Sequence, residues 1–300
     1  MSIEQVWLIT GASRGLGKAI ARQALGAGHS VVATSRSVTA DMDHGGNARF
    51  LALALDVASH SEGTYETVVQ EILTRFGRID VLVNNAGFGD LTALEESDDA
   101  QVMRTYETNL FGLMRVTRAV LPVMRRQGCG RILNITSSAG NDGRGPALYH
   151  SVKAAAKAFT ESLSFEVGRF GIKPTNVAPG LFRTDFLDGS SMTNEPARAL
   201  AAYDEHRAMI KQFTTGVNHQ QAGDPHRLAR LLVEVAASEN PPLHLLVGSD
   251  AMATLENHHR DVMVDVEAWR DESAATSFGP EDIRIDPSSF FKASANADVG

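Results

Sequence analysis

The stretch of sequence that decides the fold is Thr10–Gly17, which reads TGASRGLG. The apolar run Ile3–Thr10 leads into it, and the Ala-rich run Lys18–Gly28 follows it. A short apolar run predicts a β-strand, and an Ala-rich run that ends at glycines predicts an α-helix. The chain is therefore predicted to begin with a strand, a glycine-rich turn and a helix.

The rest of the chain continues the same alternation of short apolar runs and longer runs with helical periodicity. Strands are predicted at Ser30–Thr34, Phe50–Val57, Ile79–Val83, Arg131–Thr136, Lys173–Val177 and His244–Val247. Helices are predicted at Ser61–Phe76, Asp98–Thr108, Leu110–Gln127, Ser151–Arg169 and Pro225–Ser238. Alternating strands and helices form right-handed βαβ units. We therefore expect an α/β protein with a single Rossmann-fold domain, a doubly wound parallel sheet with helices on both faces.

The composition excludes several other classes of protein. Of the 300 residues, 43% are hydrophobic and 21% are charged, with 28 Lys and Arg against 36 Asp and Glu. This balance supports a sizeable core and argues against intrinsic disorder and against a nucleic-acid partner. One cysteine excludes an intrachain disulfide. No apolar run has the ~20 residues of a membrane span, and no signal peptide is visible, so we expect no membrane partner and a cytoplasmic location.

No linker or internal repeat divides the chain. We expect one domain over residues 1–250 and a C-terminal extension over residues 251–300. The extension is expected to be helical over Asp261–Arg270 and loosely attached from Ser273 onward. The adjacent residues His258 and His259 diverge on a helix and have no cysteine or carboxylate cluster beside them, so no metal site is predicted.

The glycine-rich turn lies where a dinucleotide site requires it, between a strand and a helix. Small residues let the backbone approach a pyrophosphate, and the N-terminus of the helix supplies free N–H groups. The alternative is an ordinary tight turn from strand to helix. The spacing of Gly11, Gly15 and Gly17 also differs from the common Gly-x-Gly-x-x-Gly pattern.

Five further motifs follow along the chain. They are Asn84-Asn85-Ala86-Gly87, Asn109-Leu110-Phe111-Gly112, Ser137-Ser138-Ala139-Gly140, Tyr149-His150-Ser151-Val152-Lys153, and Pro179-Gly180 with Thr184. Together with the glycine-rich turn, they resemble in type and order the motifs of the short-chain dehydrogenase/reductase family. The resemblance covers about residues 3–250. It implies an oxidoreductase with a nicotinamide cofactor.

The second predicted strand indicates which nicotinamide cofactor is used. No acidic residue that could bond a ribose 2′-hydroxyl occurs from Gly17 to Ala40, and the strand is followed by Arg36. Arg36 and Arg14 are suited to grip a 2′-phosphate, and in the family this pattern implies NADP (NADPH). The alternative is that both are solvated surface arginines. Asp56 matches the family's adenine-binding acid, or is an ordinary loop acid.

The full set of residues that the resemblance assigns to the cofactor covers both ends of the predicted site. It comprises Gly11, Ser13, Arg14, Gly15, Leu16, Gly17, Ser35, Arg36, Asp56, Val57, Asn85, Ala86, Gly87, Tyr149, Lys153, Pro179, Gly180, Phe182 and Thr184.

The predicted catalytic residues are Asn109, Ser137, Tyr149 and Lys153. Tyr149 and Lys153 are four residues apart and share one face of a helix, so the ammonium is expected to lower the pKa of the phenol. Such a tyrosine acts as a general acid or base on a carbonyl or alcohol oxygen. The resemblance implies that Lys153 also bonds the nicotinamide ribose, that Ser137 holds the substrate oxygen, and that Asn109 anchors a water in a proton relay. Ser138 is the rival of Ser137.

The resemblance implies that residues 1–250 are the catalytic domain, with a substrate lid over about residues 183–222, and that the stretch from Leu181 to Gln221 caps the nicotinamide end of the cleft. Its large apolar residues include Phe182, Phe186, Leu187, Met192, Leu200, Tyr203, Met209, Ile210 and Phe213. An apolar, Met-bearing lid suits a lipophilic or bulky carbonyl compound, although the same residues are also expected to pack the lid onto the core. The loop Asn141–Leu148 and Phe88 are expected to line the pocket.

These observations favour an NADP(H)-dependent carbonyl reductase or alcohol dehydrogenase that acts on a small molecule. An epimerase or dehydratase fits less well because its glycine spacing differs. A non-catalytic NADP-sensing protein on the same fold is the main alternative, although such proteins usually lack the tyrosine or lysine. A third reading is an interaction protein whose C-terminal segment binds a partner. The resemblance also implies a homodimer or homotetramer.

Overall fold

The protein is described from a computed structural model, which covers residues 4–38, 42 and 46–279. The strands are β1 Val6–Thr10, β2 Ser30–Ser35, β3 Phe50–Ala54, β4 Val81–Asn84, β5 Gly89–Asp90, β6 Gly130–Ile135, β7 Ile172–Pro179, β8 Met192–Thr193 and β9 His244–Val247. The helices are α1 Gly15–Gly26, α2 Thr64–Phe76, α3 Asp99–Tyr106, α4 Gly112–Gln127, α5 Ala147–Val167, α6 Asp204–Val217, α7 Pro225–Ala237, α8 Ser249–Ala268 and α9 Arg270–Ala274.

Seven strands form one parallel sheet in the order β3-β2-β1-β4-β6-β7-β9. The chain leaves β1 toward β2 and β3, and then returns to place β4 on the other side of β1. This reversal opens a crevice at the carboxyl ends of β1 and β4, which is where parallel α/β sheets bind ligands. The predicted α/β, doubly wound parallel sheet is confirmed.

Apolar side chains cover both faces of the sheet, as a parallel sheet requires. Trp7 and Ile9 of β1 join the core beneath α1 and α7, together with Ile20 and Leu228. Leu8, which points to the opposite face, joins a second core beneath α2, α4 and α5. Because successive side chains of β1 point to opposite faces of the sheet, this one strand packs against helices on both sides.

Several helix boundaries differ from the predicted ones. Helix α2 begins at Thr64 and not at Ser61, and α5 begins at Ala147 and not at Ser151. The two helices predicted on either side of Asn109 form one helical run, joined by a π-helical turn at Glu107–Phe111. Helix α6 was not predicted, because its mixed composition gave no clear period. Acidic residues in its first turn complement the helix dipole.

The C-terminal part contains more regular helix than predicted. Helix α8 runs from Ser249 to Ala268, where a helix was expected only over Asp261–Arg270. A second compact unit of the chain begins at Glu256, after a first unit that ends at Leu255. The predicted tail lies mostly outside the described residues. None of the helices that the structure describes combines the length and the apolar composition of a membrane span.

Candidate active site

The glycine-rich turn is held by the segment that follows β4. The hydroxyl of Thr10 accepts hydrogen bonds from the backbone N–H groups of Asn85 and Ala86 at 3.0 and 3.1 Å. The side-chain amide of Asn85 donates to the carbonyl oxygens of Thr10 and Gly11 at 2.9 and 3.0 Å. A Cβ on Gly17 would lie 2.4 Å from the Gly11 oxygen. Two motifs that are distant in sequence therefore fix one backbone shape.

The same turn presents an open helix N-terminus to the cleft. Helix α1 begins at Gly15, and the preceding residue Arg14 is extended and makes no side-chain cap. The first N–H groups of the helix are therefore available, together with the positive end of the helix dipole. Gly11 lies at φ +64° and a Cβ there would approach Ala86 Cα to 2.8 Å. This uncapped, side-chain-free cradle fits the pyrophosphate of a dinucleotide.

The two arginines expected at the 2′-phosphate differ in their surroundings. Arg36 is exposed just after β2, and among the described residues no hydrogen-bond or ion-pair partner is found for it. The guanidinium of Arg14 instead donates to the hydroxyl and carbonyl oxygens of Ser190, at 2.7 and 2.5 Å. Arg36 is therefore free for an anion, whereas Arg14 contacts the lid.

One cleft of about 1280 Å³ connects the glycine-rich turn with the predicted catalytic residues. We call the part formed by Gly11–Leu16, Ser35, Arg36 and Asp56 the turn end. We call the part formed by Phe186, Met192, Met209, Ile210 and Phe213 the lid end. The predicted cofactor residues all line this cleft except Gly17. Gly17 instead packs inside the turn, close to the Gly11 oxygen and the Asn85 side chain.

Tyr149, Lys153 and Ser137 converge in the middle of the cleft. Tyr149 and Lys153 are 9% and 6% exposed and lie in the first two turns of α5. The Lys153 ammonium donates to the carbonyl oxygen of Ile135 at 3.3 Å and lies 5.8 Å from the centre of the Tyr149 ring. Ser137 follows β6 and is within hydrogen-bonding reach of Tyr149. This arrangement places a phenol, a hydroxyl and an amine around one space.

The expected lowering of the Tyr149 pKa is wrong. Burial raises the pKa of Tyr149 to about 12, and the hydrogen bond with Ser137 offsets this only in part. Burial also lowers the pKa of Lys153 to about 8. Desolvation disfavours the charged form of each group, and it is the largest cause of both shifts.

Asn109 lies behind this centre, on the π-helical turn, and does not line the cleft itself. Its side-chain amide donates to the carbonyl oxygens of Phe88 and Thr105 at 3.1 and 3.0 Å. Its buried Oδ1 has no partner among the described residues. A Cβ on Gly87 would lie 2.6 Å from that oxygen and 3.5 Å from Lys153 Nζ, so the two polar atoms approach the same glycine.

The lid end brings apolar side chains from separate segments against the catalytic centre. The rings of Phe186 and Tyr149 are 6.0 Å apart, and Ile210 of α6 packs with Tyr149 in a small buried cluster. As expected, residues of the loop 141–148 and Phe88 also line the cleft. Arg104 lies over the Phe88 ring at 5.6 Å. The wall beside Tyr149 is therefore mainly apolar.

The structure adds two cleft residues that sequence analysis missed. Asp250 of α8 accepts a hydrogen bond from the Leu181 N–H at 2.7 Å, and its carboxylate lies where a Cβ on Gly180 would stand. Gln221 lines the cleft and is 3% exposed. The Pro179-Gly180 motif hinted at a close neighbour, because its glycine leaves room for Asp250. No local pattern pointed to Gln221.

One group of residues within the described ranges has ligand atoms close enough for a metal ion. Oxygens of Asp185 and Asp188 and a ring nitrogen of His219 lie within 4.8 Å of one another. Asp188 also accepts a hydrogen bond from Asn218 at 2.6 Å. The group is largely exposed, and no other observation points to an ion there.

Comparison with known proteins gives consistent matches over most of the chain. A family model described as short chain dehydrogenase matches residues 5–195. Oxidoreductase BOA17 of Botryotinia fuckeliana is 35% identical over 283 residues, which is 91% of this chain and 99% of that protein. A 3-ketodihydrosphingosine reductase of Bacteroides thetaiotaomicron is 34% identical over 245 residues, 81% of this chain and 88% of that protein.

Solved structures match equally well. A short-chain dehydrogenase from Streptomyces avermitilis is 35% identical, with a TM-score of 0.82 over 93% of this chain and 100% of that chain. An alcohol dehydrogenase from Thermococcus sibiricus, solved with 5-hydroxy-NADP, is 26% identical, with a TM-score of 0.62 over 82% and 96% of the two chains.

Proposed function

This chain belongs to the short-chain dehydrogenase/reductase family of oxidoreductases, and we propose that it interconverts a ketone or aldehyde and an alcohol with NADP(H). The observation that carries the proposal is the convergence of Tyr149, Lys153 and Ser137 in the middle of the cleft that begins at the glycine-rich turn. A protonated phenol beside a hydroxyl is suited to bind and protonate a carbonyl oxygen.

NADP(H) is the proposed cofactor because the turn end fits it. The uncapped N-terminus of α1 suits the pyrophosphate, and the guanidinium of Arg36, for which the described residues provide no partner, suits the 2′-phosphate. Arg14 reaches the same phosphate only if it leaves Ser190. When bound, NADP(H) supplies or accepts a hydride. The alcohol dehydrogenase of the same fold that was solved with 5-hydroxy-NADP supports this choice.

The proposed proton chemistry follows from burial. The pKa of about 12 keeps Tyr149 protonated at neutral pH, so the phenol carries the proton that a substrate oxygen would receive. Ser137 donates a hydrogen bond to that oxygen and holds it in place. The pKa of Lys153 of about 8 allows the amine to exchange a proton near neutral pH. Asn109 Oδ1, which has no partner in the described part of the chain and lies beside Gly87, is the proposed holder of a water that would connect Lys153 with solvent.

A lipophilic or bulky carbonyl compound is the proposed substrate class. Phe186, Met192, Met209 and Phe213 form an apolar wall beside Tyr149. Contact with such a wall favours apolar ligands by roughly 25 cal/mol for each Å² removed from water. The similar protein named 3-ketodihydrosphingosine reductase is, by its name, a reductase of a ketone, which supports this class.

The remaining proposals concern organisation. We propose that the catalytic domain extends to about residue 250 and carries residues 251–300 as an extension, and that the protein is a cytoplasmic homodimer or homotetramer, as the family resemblance implies. Light scattering of the purified chain gives the mass in solution. A mass well above 32.2 kDa supports the oligomer, and a mass of one chain contradicts it.

A screen of NADPH oxidation over ketones, aldehydes and quinones tests the proposed function. We expect turnover with at least one bulky apolar carbonyl compound and weaker turnover with small polar ones. NADPH binding without turnover of any compound would favour the non-catalytic, NADP-sensing alternative. A chain that binds neither NADPH nor NADH would contradict the proposal altogether.

A further inference from the structure

Gln221 has polar atoms that nothing in the described part of the chain satisfies. Its side chain is 3% exposed, and neither Nε2 nor Oε1 has a hydrogen-bond partner. Among the described residues that line the cleft, it alone combines burial with unpartnered side-chain atoms. A buried amide that is left without hydrogen bonds destabilises the folded state. Such destabilisation is typical of a site that binds a ligand.

The backbone places Gln221 beside the segment that follows Pro179-Gly180. The carbonyl oxygen of Gln221 accepts a hydrogen bond from Arg183 Nε at 3.1 Å. Two residues further on, Gly223 pairs with Phe182 in a parallel bridge, through hydrogen bonds of 2.9 and 3.0 Å. Phe182 and Thr184 line the cleft next to this bridge. Gln221 therefore lies at the end of the cleft that the proposed function gives to the nicotinamide.

The chemistry of the side chain restricts the group it can satisfy. A partner for both orphan atoms must accept from Nε2 and donate to Oε1. A substrate carbonyl oxygen only accepts, and phosphate oxygens at neutral pH mainly accept. A primary carboxamide does both, and two amides pair through two hydrogen bonds. The nicotinamide of NADP(H) carries such a carboxamide.

We infer that the Gln221 side chain hydrogen-bonds the carboxamide of the nicotinamide and so orients the ring in the cleft. This inference rests on the proposed function, since it requires a nicotinamide cofactor. Gln221, which lies between helices α6 and α7, is then a cofactor-binding residue.

Binding measurements with three probes test the inference without any turnover. The probes are NADP⁺, its 3-acetylpyridine analogue, in which a methyl group replaces the amide nitrogen, and adenosine 2′,5′-bisphosphate, which lacks the nicotinamide. The variants are Gln221→Met, which keeps the length without polar atoms, and Gln221→Asn, which keeps the amide but shortens its reach. Gln220→Met, at the exposed neighbouring glutamine, is the matched control.

We expect Gln221→Met and Gln221→Asn to weaken NADP⁺ binding about tenfold, as the loss of two hydrogen bonds implies. Binding of adenosine 2′,5′-bisphosphate should stay unchanged, and the acetylpyridine analogue should lose less affinity than NADP⁺. Gln221→Met should also raise the Tm of the ligand-free chain, because it removes the unpaired buried atoms. A residue with only a structural role would not combine a higher Tm with weaker binding.

Other outcomes overturn the inference. Wild-type affinity for NADP⁺ in both variants would show that the carboxamide does not contact Gln221. An equal loss for NADP⁺ and for adenosine 2′,5′-bisphosphate would assign Gln221 a general structural role. If the wild-type chain binds none of the three probes, the proposed cofactor itself is wrong, which is a failure distinct from the first two.

Discussion

The two ends of the cleft are built in different ways. At the turn end, backbone atoms touch backbone atoms, and Gly11 and Gly17 leave no space for even one extra carbon. At the lid end, the walls are side chains from separate segments, and two of them, Met209 and Phe213, are 56% and 38% exposed. A backbone cradle fixes one shape, whereas a wall of side chains adapts. We therefore expect the turn end to be specific for one ligand and the lid end to set the range of substrates.

The largest expected effect comes from adding one carbon at the turn end. Gly17→Ala places a Cβ 2.4 Å from the Gly11 oxygen and 2.5 Å from the Asn85 amide, so the turn must shift. We expect NADPH affinity to fall about 100-fold, as the loss of one hydrogen bond to the charged pyrophosphate, roughly 1.5–3 kcal/mol, implies. Gly26→Ala adds a Cβ in the same helix at a position where no other atom lies within 4 Å, so this variant should bind NADPH normally. Equal binding by both variants would contradict the rigid cradle.

Lys153 lies between the two ends, and its burial has a measurable consequence for stability. Its folded pKa of about 8 is below the ordinary value of 10.5. The unfolded chain therefore binds more protons between these values, and the free energy of unfolding should rise as the pH rises through them. The gain from this group is about 3 kcal/mol at most.

Urea unfolding at pH 7.5 and pH 10 measures this gain. Lys153→Met should lose the rise that the wild type shows. Lys157→Met, which removes a lysine that pairs with Glu161 on the surface of the same helix, should keep it. If Lys153→Met and the wild type show the same pH dependence, the lowered pKa is wrong.

The preference between NADPH and NADH should respond to a substitution at the turn end and not to one elsewhere. Arg36→Asp replaces the cation expected at a 2′-phosphate with an acid suited to a ribose hydroxyl. We expect the preference for NADPH over NADH, as the ratio of kcat/KM values, to fall about 10- to 100-fold. Arg22→Asp makes the same change of charge on the exposed face of α1 and should leave the ratio intact. An unchanged ratio in Arg36→Asp would contradict the proposal that Arg36 binds the 2′-phosphate.

The smallest effect is expected at the lid end. Phe213→Ala removes a partly exposed ring from the cleft wall, so KM for a bulky apolar substrate should rise about 3- to 10-fold. NADPH affinity should not change. Phe165→Ala, on a face of α5 outside the cleft, is the control. A variant that binds NADPH more weakly while KM for the substrate is unchanged would reverse the assignment of the two ends.

The same difference explains what the sequence could predict. The turn end consists of short motifs whose backbone geometry depends on local glycines, and the alternation of strands and helices predicted the sheet that carries them. The lid end depends on contacts between distant residues, such as Phe186 with Tyr149, which no local pattern encodes. Helix α6 was missed for a similar reason, since its mixed composition showed no clear period.

Tyr149 shows most clearly what could not be predicted from the sequence. The spacing of Tyr149 and Lys153 correctly predicts one shared helix face, but the distance along a helix says nothing about burial. Burial raises the pKa of Tyr149 and lowers that of Lys153, in the opposite direction to the charge attraction inferred from spacing. The π-helical turn at Asn109 was likewise invisible, because it joins two stretches that each predicted an ordinary helix.

We propose above that Tyr149 transfers the proton in a reaction whose cofactor binds at the turn end. The direct measurement is turnover of Tyr149→Phe beside its NADPH affinity. We expect turnover to fall by at least about 100-fold, as the loss of a general acid implies, while NADPH still binds. Turnover near the wild-type rate would contradict the account.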